Sequence, residues 1–300
     1  MSSENFVAQN FAQRYLVVKP IFGWRANQIF LVILIIVITC MYLPVSSLAE
    51  SDPDEVESLD GLAKYLYRDT KHVLTSPLHW KQDDLVLFAT LSVSTFALML
   101  TDTDFQEYVQ KNRTNTTDQV SEWTDKYTKR VTNLTIGGLY LSGLILQDRK
   151  SKKTALLCLE SVALAEGITK GLKHLMGRSR PYGDRGAFDF NPLKVPPPSY
   201  SLSFPSGHAT TAFALSSVIT EQYRSWLVRL ISYSFALVVS LARVNNNAHF
   251  LSDVFWGAIT GISVGKCLVK FHKKDGTGEW ELISTNEPNN VRLGILIWLE

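Results

Sequence analysis

Long blocks of apolar residues, separated by short polar stretches, constrain the fold of this 300-residue chain most strongly. Six blocks after residue 84 have the length of helices, and small residues within them suit close helix–helix packing. Strand patterns are scarce, apart from VRLGILIWLE near the end of the chain. The sequence therefore predicts an all-α bundle of six helices, at residues 85–100, 132–146, 154–176, 208–223, 226–243 and 253–271.

An earlier apolar block, residues 29–46, is uncharged and comes after Arg14, Lys19 and Arg25. A block of this kind behind a basic flank is typical of a membrane anchor or of the core of a signal peptide, here with cleavage after Ala49. Either interpretation keeps the basic flank in the cytoplasm and exports the chain beyond residue 50. We expect three parts: a leader (1–50), the helical domain (51–275) and a C-terminal tail (276–300).

The number of membrane-spanning helices stays open at this point. Several predicted helices have 15 to 17 residues, fewer than the roughly 20 needed to span, and the mean hydropathy is only +0.03. The basic clusters 149–153 and 270–274, however, fall at helix ends on what would be one side. If residue 50 is outside, not every block can cross. We therefore expect an exported bundle that lies close to the membrane or is partly inserted in it.

Charge and cysteine content exclude some classes of function. The formal net charge is +2 and no long basic run is present, which argues against a nucleic-acid partner. Cys40, Cys158 and Cys267 lie in apolar blocks without paired or metal-type spacing. They are expected to be buried thiols rather than disulfides or zinc ligands. Nothing indicates an obligate protein partner.

Polar residues interrupt the blocks at three places, and the first ends the third predicted helix. Lys173 and Arg180 are seven residues apart, so we expect their side chains on one helix face, with Pro181 stopping the helix. Two converging cations suit a dianion such as phosphate. The alternative is an ordinary basic helix C-terminus, which the helix dipole favours anyway.

The second place is Ser206-Gly207-His208, directly before the fourth predicted helix. The backbone N–H groups at such a helix start can bind an anion, and a serine hydroxyl adds a donor. The ordinary pKa of histidine suits His208 to proton transfer. The alternative is a plain N-cap serine beside a surface histidine.

The third place is the stretch ARVNNNAHFLSD, residues 242–253. His249 and Asp253 are four apart, so on one helical turn the carboxylate can accept from one ring nitrogen and leave the other as a nucleophile. Arg243 can reach the same point. The alternative is a surface ion pair of little consequence. We expect the three asparagines between Arg243 and His249 to shape the turn.

These three polar stretches all lie at helix ends. Antiparallel packing of neighbouring helices would bring the end of the third, the start of the fourth, the end of the fifth and the start of the sixth predicted helix to one rim. Both histidines and all the cations would then face a common pocket.

The stretches KHLMGRSRP, PSGH and ARVNNNAHFLSD resemble the three signature motifs of the type 2 phosphatidic acid phosphatase (PAP2) superfamily. That family has Lys-x6-Arg-Pro, then Pro-Ser-Gly-His, then Ser-Arg-x5-His-x3-Asp. The resemblance covers residues 173–253 directly and, by helix order, about 85–271. One departure is Ala242, where the family has serine, which removes one hydroxyl contact.

The resemblance implies a six-helix PAP2-type fold and a phosphohistidine mechanism without metal or cofactor. His249 would be the nucleophile, Asp253 would orient it, and His208 would act as acid and then base. Five residues would hold the phosphoryl oxygens: Lys173, Arg180, Ser206, Gly207 and Arg243. The proline-rich residues 182–204 would cover the pocket.

Several functions remain open on the sequence alone. The first is a phosphatase for lipid phosphomonoesters or diphosphates, facing the periplasm or the cell exterior. The others are a non-specific acid phosphatase on soluble esters, a haloperoxidase with vanadate on His249, and a non-catalytic binding protein. The substrate class, lipid or small phosphoester, is the widest gap.

Overall fold

The computed structural model describes residues 59–274, 279–287 and 290–298. The predicted leader (1–50) and its apolar block (29–46) lie outside these residues, as does Cys40. Within the described part the chain forms seven α-helices and one two-stranded hairpin. The helices are α1 Leu59–Thr75, α2 Gln82–Lys111, α3 Asn115–Ile145, α4 Arg149–Met176, α5 Gly207–Gln222, α6 Trp226–Asn245 and α7 Leu251–Lys274. Short 3-10 turns occupy Ser76–His79 and Pro181–Gly183.

The helical class is correct, but the count of six and several helix bounds are wrong. An additional helix, α1, precedes the predicted six, and α2 and α3 continue well beyond their apolar blocks into polar sequence. Side-chain caps explain two of the actual starts. Thr114 accepts from the Thr117 N–H at the start of α3, and Asp148 accepts from two N–H groups at the start of α4. An apolar block therefore shows only the apolar part of a helix and not where the helix begins or ends.

The tail contains the strand that its sequence suggested. β1 (Glu279–Glu287) and β2 (Asn290–Trp298) pair antiparallel, with Glu279 opposite Trp298. The predicted strand pattern VRLGILIWLE corresponds to β2 and is confirmed.

Helices α5 and α7 form the centre of the bundle and pack against each other at very short distance. Eleven of the sixteen residues of α5 are buried. α7 turns a stripe of Gly257, Gly261 and Gly265 toward it. A Cβ atom on Gly257 would lie 2.6 Å from the Ser206 carbonyl oxygen, and one on Gly261 would lie still closer to that of Thr210. Only glycine fits at such contacts, so the two backbones touch directly.

Three of the described helices are long and apolar enough to cross a membrane: α2, α6 and the segment Leu251–His272 of α7. The expectation of a helix too short to span is therefore wrong for α2, which has 30 residues where the sequence predicted 85–100. The surroundings of these three helices differ. Of the most apolar 18-residue stretch, 11% is buried inside the protein in α2 and 78% in α7. α2 presents Phe88, Val93 and Phe96, among others, to the outside. Cys158 and Cys267 are buried thiols, as expected.

Candidate active site

Four chain segments meet at one end of the bundle: the end of α4, the start of α5, the end of α6 and the start of α7. The Ser206 N–H before α5 donates to the Asp253 carbonyl in α7 at 2.9 Å. A Cβ on Gly207 would lie 4.0 Å from Cε of Lys173 on α4. The polar stretches that the sequence placed on a common rim are thus adjacent.

The route from Lys173 to Arg180 differs from the prediction. α4 ends at Met176, and Gly177 caps it in the left-handed conformation with φ of +58°. Arg180 comes next in an extended backbone outside the helix. A side chain at position 177 would also collide with the Asn191 carbonyl. The expectation that both cations lie on one helix face, with Pro181 stopping the helix, is therefore wrong: Gly177 stops it.

The Lys173 ammonium is fixed by the chain segment that precedes α5. Its Nζ donates to the carbonyl oxygens of Leu202 at 2.6 Å and Ser203 at 3.2 Å. Burial lowers the pKa of Lys173 to about 7, and the nearby guanidiniums of Arg180 and Arg243 act in the same direction. This amine therefore lacks a full counter-charge from the protein, as expected for a group that awaits an anion.

His249 and Asp253 face each other through a serine that the sequence did not single out. Nδ1 of His249 lies 3.7 Å from Oδ2 of Asp253. The Ser203 hydroxyl donates to the same oxygen at 2.5 Å and lies 3.4 Å from Nδ1. His249 precedes α7, so the pair does not share one helical turn as predicted. Asp253 lies in the first turn of α7 and also accepts from the Phe250 N–H at 2.9 Å.

Burial keeps His249 uncharged. It lowers the pKa of His249 to about 3, with Lys173 and Arg180 adding to the effect and Asp253 opposing it. At neutral pH the imidazole therefore carries a lone pair on one nitrogen. Because Nδ1 faces the carboxylate, Nε2 is the nitrogen left for a reaction.

A buried ion-pair network supports Asp253 from behind. Arg178 is fully buried and donates to Oδ1 of Asp253 at 2.6 Å and to Oδ2 of Asp102 at 2.8 Å. Ser252 donates to the same Asp102 oxygen. The Arg178 guanidinium also stacks over the Phe250 ring at 4.5 Å. Sequence reasoning missed Arg178 and Asp102, although an arginine inside the first motif and an aspartate directly after an apolar block were visible signals.

A second acidic residue that the sequence did not reveal, Asp125 on α3, connects two predicted site residues. Its carboxylate accepts from Arg243 and lies 3.6 Å from Nε2 of His208. Burial lowers the pKa of His208 to about 4, and Arg243 is the next largest cause. Lys173 also lowers it, whereas Asp125 opposes the shift. Bound phosphate would offset these cations and favour the protonated ring.

Two buried donors in this part of the chain have no hydrogen-bond partner among the described residues: Oγ of Ser206 and Nε of Arg243. Ser206 is fully buried and makes no side-chain cap bond, so the alternative of a plain N-cap serine does not hold. Unpaired buried donors are uncommon and costly. Together with the N–H groups at the start of α5, they form a surface able to bind an oxyanion.

The three asparagines of the third stretch anchor the turn between α6 and α7. Asn245 donates to Asp118 on α3 at 2.9 Å, and Asn246 donates to a carbonyl of the same helix. Asn247 adopts a positive φ of +55° and accepts from Gln106 on α2. The expectation that they shape the turn is confirmed for Asn247.

The sequence pattern of the PAP2 superfamily matches residues 154–276, a range that contains all eight predicted site residues. The lipid A 1-phosphatase of Porphyromonas gingivalis is 34% identical over 107 residues, which are 35% of this chain and 21% of that protein. The lipid A 1-phosphatase of Rhizobium etli is 35% identical over 95 residues, 30% of this chain and 38% of that protein. The chain thus spans well under half the length of these relatives.

Two solved structures are similar in arrangement. Aquifex aeolicus LpxE is 21% identical, with a TM-score of 0.41, over 56% of this chain and 94% of that one. A transmembrane PAP2-type phosphatidylglycerolphosphate phosphatase from Bacillus subtilis is 20% identical, with a TM-score of 0.46, over 62% of this chain and 96% of that one.

Proposed function

We propose that this protein is a phosphatase of the PAP2 type that hydrolyses lipid phosphomonoesters or diphosphates through a phosphohistidine on His249. The observation that carries the proposal is the pairing of a buried, uncharged histidine with unpartnered donors beside it, on Ser206 and Arg243. The names of the related lipid A 1-phosphatases support a lipid phosphate as substrate.

In the first step Nε2 of His249 attacks phosphorus, and the bond from phosphorus to the ester oxygen breaks. The bonding electrons leave with that oxygen, which receives a proton from His208. The imidazole becomes positively charged as it is phosphorylated. Asp253 stabilises this charge, and Arg178 and Ser203 hold the carboxylate in place.

In the second step His208, now neutral, accepts a proton from water. The water oxygen attacks phosphorus, and the bond from phosphorus to Nε2 breaks with its electrons returning to the ring. Inorganic phosphate leaves and His249 is regenerated. The same histidine thus serves as acid and then as base.

Lys173, Arg180 and Arg243 would neutralise the charge that spreads over the phosphoryl oxygens in the transition state. Ser206 and the N–H of Gly207 would add directed donors. Asp125 would act as a positioning residue, because its carboxylate contacts Arg243 and faces His208. The phosphate itself would supply the negative charge that raises the pKa of His208 when substrate is bound.

We propose a membrane location with the site end facing the periplasm or cell exterior, and residues 51–275 as the catalytic domain behind the leader 1–50. α4 begins, and α7 ends, at the end of the bundle opposite the site, so both basic clusters lie there. Basic residues prefer the cytoplasmic side. The exposed apolar side chains of α2 suit contact with lipid.

Single cysteines would test this orientation. The variant Ser199→Cys, near the site, should react with a membrane-impermeant thiol reagent in intact cells. The variant Lys150→Cys should react only after the cells are permeabilised. Labelling in the reverse pattern would refute the proposed orientation.

Phosphate release by the purified full-length protein would test the activity. Phosphatidate, a polyprenyl diphosphate and a lipid A phosphate in mixed micelles should release phosphate in the presence of a chelator, with inhibition by vanadate. The variant His249→Ala should be inactive and form no acid-labile phosphoprotein, and His208→Ala should slow both steps because each needs its proton transfer. Hydrolysis of soluble esters only would favour an acid phosphatase. Halide oxidation by peroxide with added vanadate, without phosphate release, would favour a haloperoxidase.

A further inference from the structure

A second cluster of polar side chains is buried far from the candidate active site. It contains Asp69 of α1, Glu160 of α4 and His272 near the end of α7. One potential metal-ligand atom from each residue lies within 4.8 Å of the other two. α7 begins beside the phosphate-binding residues. The 19 residues from Asp253 to His272 place the cluster about 28 Å from that end, at 1.5 Å per helical residue.

The cluster contains an unsatisfied atom. Oε1 of Glu160 is buried and has no hydrogen-bond partner within the described part of the chain. Glu160 as a whole is only 8% exposed. Nε2 of His272 lies 2.7 Å from Oδ2 of Asp69. An acidic oxygen with no donor, next to a second carboxylate, is costly in a protein interior unless a proton or a cation occupies the position.

We propose that Asp69, Glu160 and His272 bind a divalent transition-metal ion of the Zn²⁺ class. Two carboxylates and a neutral imidazole balance the charge of such an ion, and all three are among its ordinary ligands. Ligand atoms around tetrahedral zinc are about 3.3 Å apart, given bonds of about 2.0 Å. The present spacing, 2.7 Å for one pair and up to 4.8 Å overall, brackets this value.

Arg68 is the competing cation. Its Nε lies 3.3 Å from Oδ1 of Asp69, on the opposite oxygen from the one that faces His272. The Arg68 side chain is 34% exposed, so its charge is shared with solvent. Arg68 therefore compensates Asp69 in part and leaves Oε1 of Glu160 unsatisfied.

The three ligands belong to chain segments that are far apart in sequence. A bound ion would fasten α1 to the two central helices at the end opposite the active site, and it would stabilise the folded state by mass action. The site would be structural and would not take part in phosphate chemistry.

The experiment uses the full-length protein in detergent, purified with a histidine-free tag and dialysed against EDTA. Titration with ZnCl2 should show one tight site per chain by calorimetry, with metal content confirmed by mass spectrometry. Saturating zinc should raise the Tm by about 5 °C. Glu160→Gln, which is nearly isosteric, and His272→Ala should both lose the tight site and the shift. His79→Ala, which removes an exposed histidine, should keep both.

Three results would overturn the proposal. Wild type and Glu160→Gln could bind zinc equally, which would assign the metal to the surface. Wild type could bind no zinc at all. Finally, Glu160→Gln could have a higher Tm than wild type in EDTA while wild type shows no zinc-dependent shift. That result would mean that Glu160 holds a proton and shares it with Asp69. If His272→Ala fails to fold, Glu160→Gln decides alone.

Discussion

The two ends of α7 carry buried ionic clusters of opposite character. At its start, Lys173, Arg180 and Arg243 crowd together, and the unpartnered atoms there are donors. At its end, two carboxylates lie beside a histidine, and the unpartnered atom is an acceptor. Unpartnered donors indicate an anionic ligand at the start of α7, and an unpartnered carboxylate oxygen indicates a cationic ligand at its end.

The clusters also differ in how they are supported. At the start, the fully buried Arg178 lies between two aspartates and is completely paired. At the end, Arg68 is partly exposed and pairs with Asp69. The network around Arg178 holds the reacting group in position. The cluster at the end of α7 leaves Oε1 of Glu160 without a hydrogen-bond donor among the described residues.

At the start of α7, the largest expected effect on activity comes from His249→Ala. Loss of the nucleophile should lower kcat for phosphate release by roughly 10⁴-fold or more, since nucleophile deletions in triad enzymes have effects of this size. The protein should remain folded by circular dichroism. The control His79→Ala should keep wild-type activity. Comparable residual turnover in His249→Ala would rule out the phosphohistidine route.

Asp102→Asn should show how much the support network matters. Removal of one charge from a buried ion pair leaves Arg178 undercompensated, at a cost of about 3 kcal/mol in the free energy of unfolding. Denaturant unfolding would measure it. Glu107→Gln, on the exposed side of the same helix, should cost no more than about 0.5 kcal/mol. Equal effects of the two variants would contradict the buried network.

Asp125→Asn separates positioning from chemistry. We expect kcat to fall by between about 10- and 100-fold, less than the full contribution of a general acid. The Asp125 carboxylate raises the pKa of His208, so its loss should also favour the neutral ring. The pH profile of kcat should therefore shift to lower pH. Glu122→Gln on the same helix is the matched control, and an unshifted profile would show that Asp125 has no electrostatic role.

The smallest effect concerns the pH dependence of kcat/KM. The pKa of Lys173 is depressed to about 7, so the cation is present below pH 7 and is lost as the pH rises through 7. Above pH 7 the slope of log kcat/KM should therefore steepen by one unit. Lys173→Arg keeps its charge and should remove that extra slope. Substrate ionisation near pH 6 lies below this window. An unchanged slope in Lys173→Arg would refute the assignment.

Much of the arrangement at the active-site end could be predicted from sequence. Helical periodicity placed three polar stretches at helix ends, and antiparallel packing then required them to meet. The helix ends were harder to predict, because α2 and α3 continue through polar sequence beyond the apolar blocks. α1 was missed for the same reason. Gly177 was a readable stop signal, but the spacing of Lys173 and Arg180 suggested a longer helix.

The residues that sequence reasoning missed share one property: their partners are remote in the chain. Asp102 contacts Arg178, Asp125 contacts Arg243, and Ser203 contacts Asp253. Such pairs depend on how the helices pack, which spacing within a motif does not reveal. The cluster at the end of α7 is of the same kind, since its three members come from three helices.

The glycine stripe on α7 has a mechanical consequence. Because the backbones of α5 and α7 touch at Gly257 and Gly261, neither helix can slide along the other without atoms colliding. His249 directly precedes α7 and Ser206 directly precedes α5. The close contact of these helices therefore fixes the distance between the nucleophile and the oxyanion donors. The catalytic distances are thereby insulated from disturbance at the surface. Substrate choice would have to be retuned outside this helix pair, for example in the exposed residues 192–197.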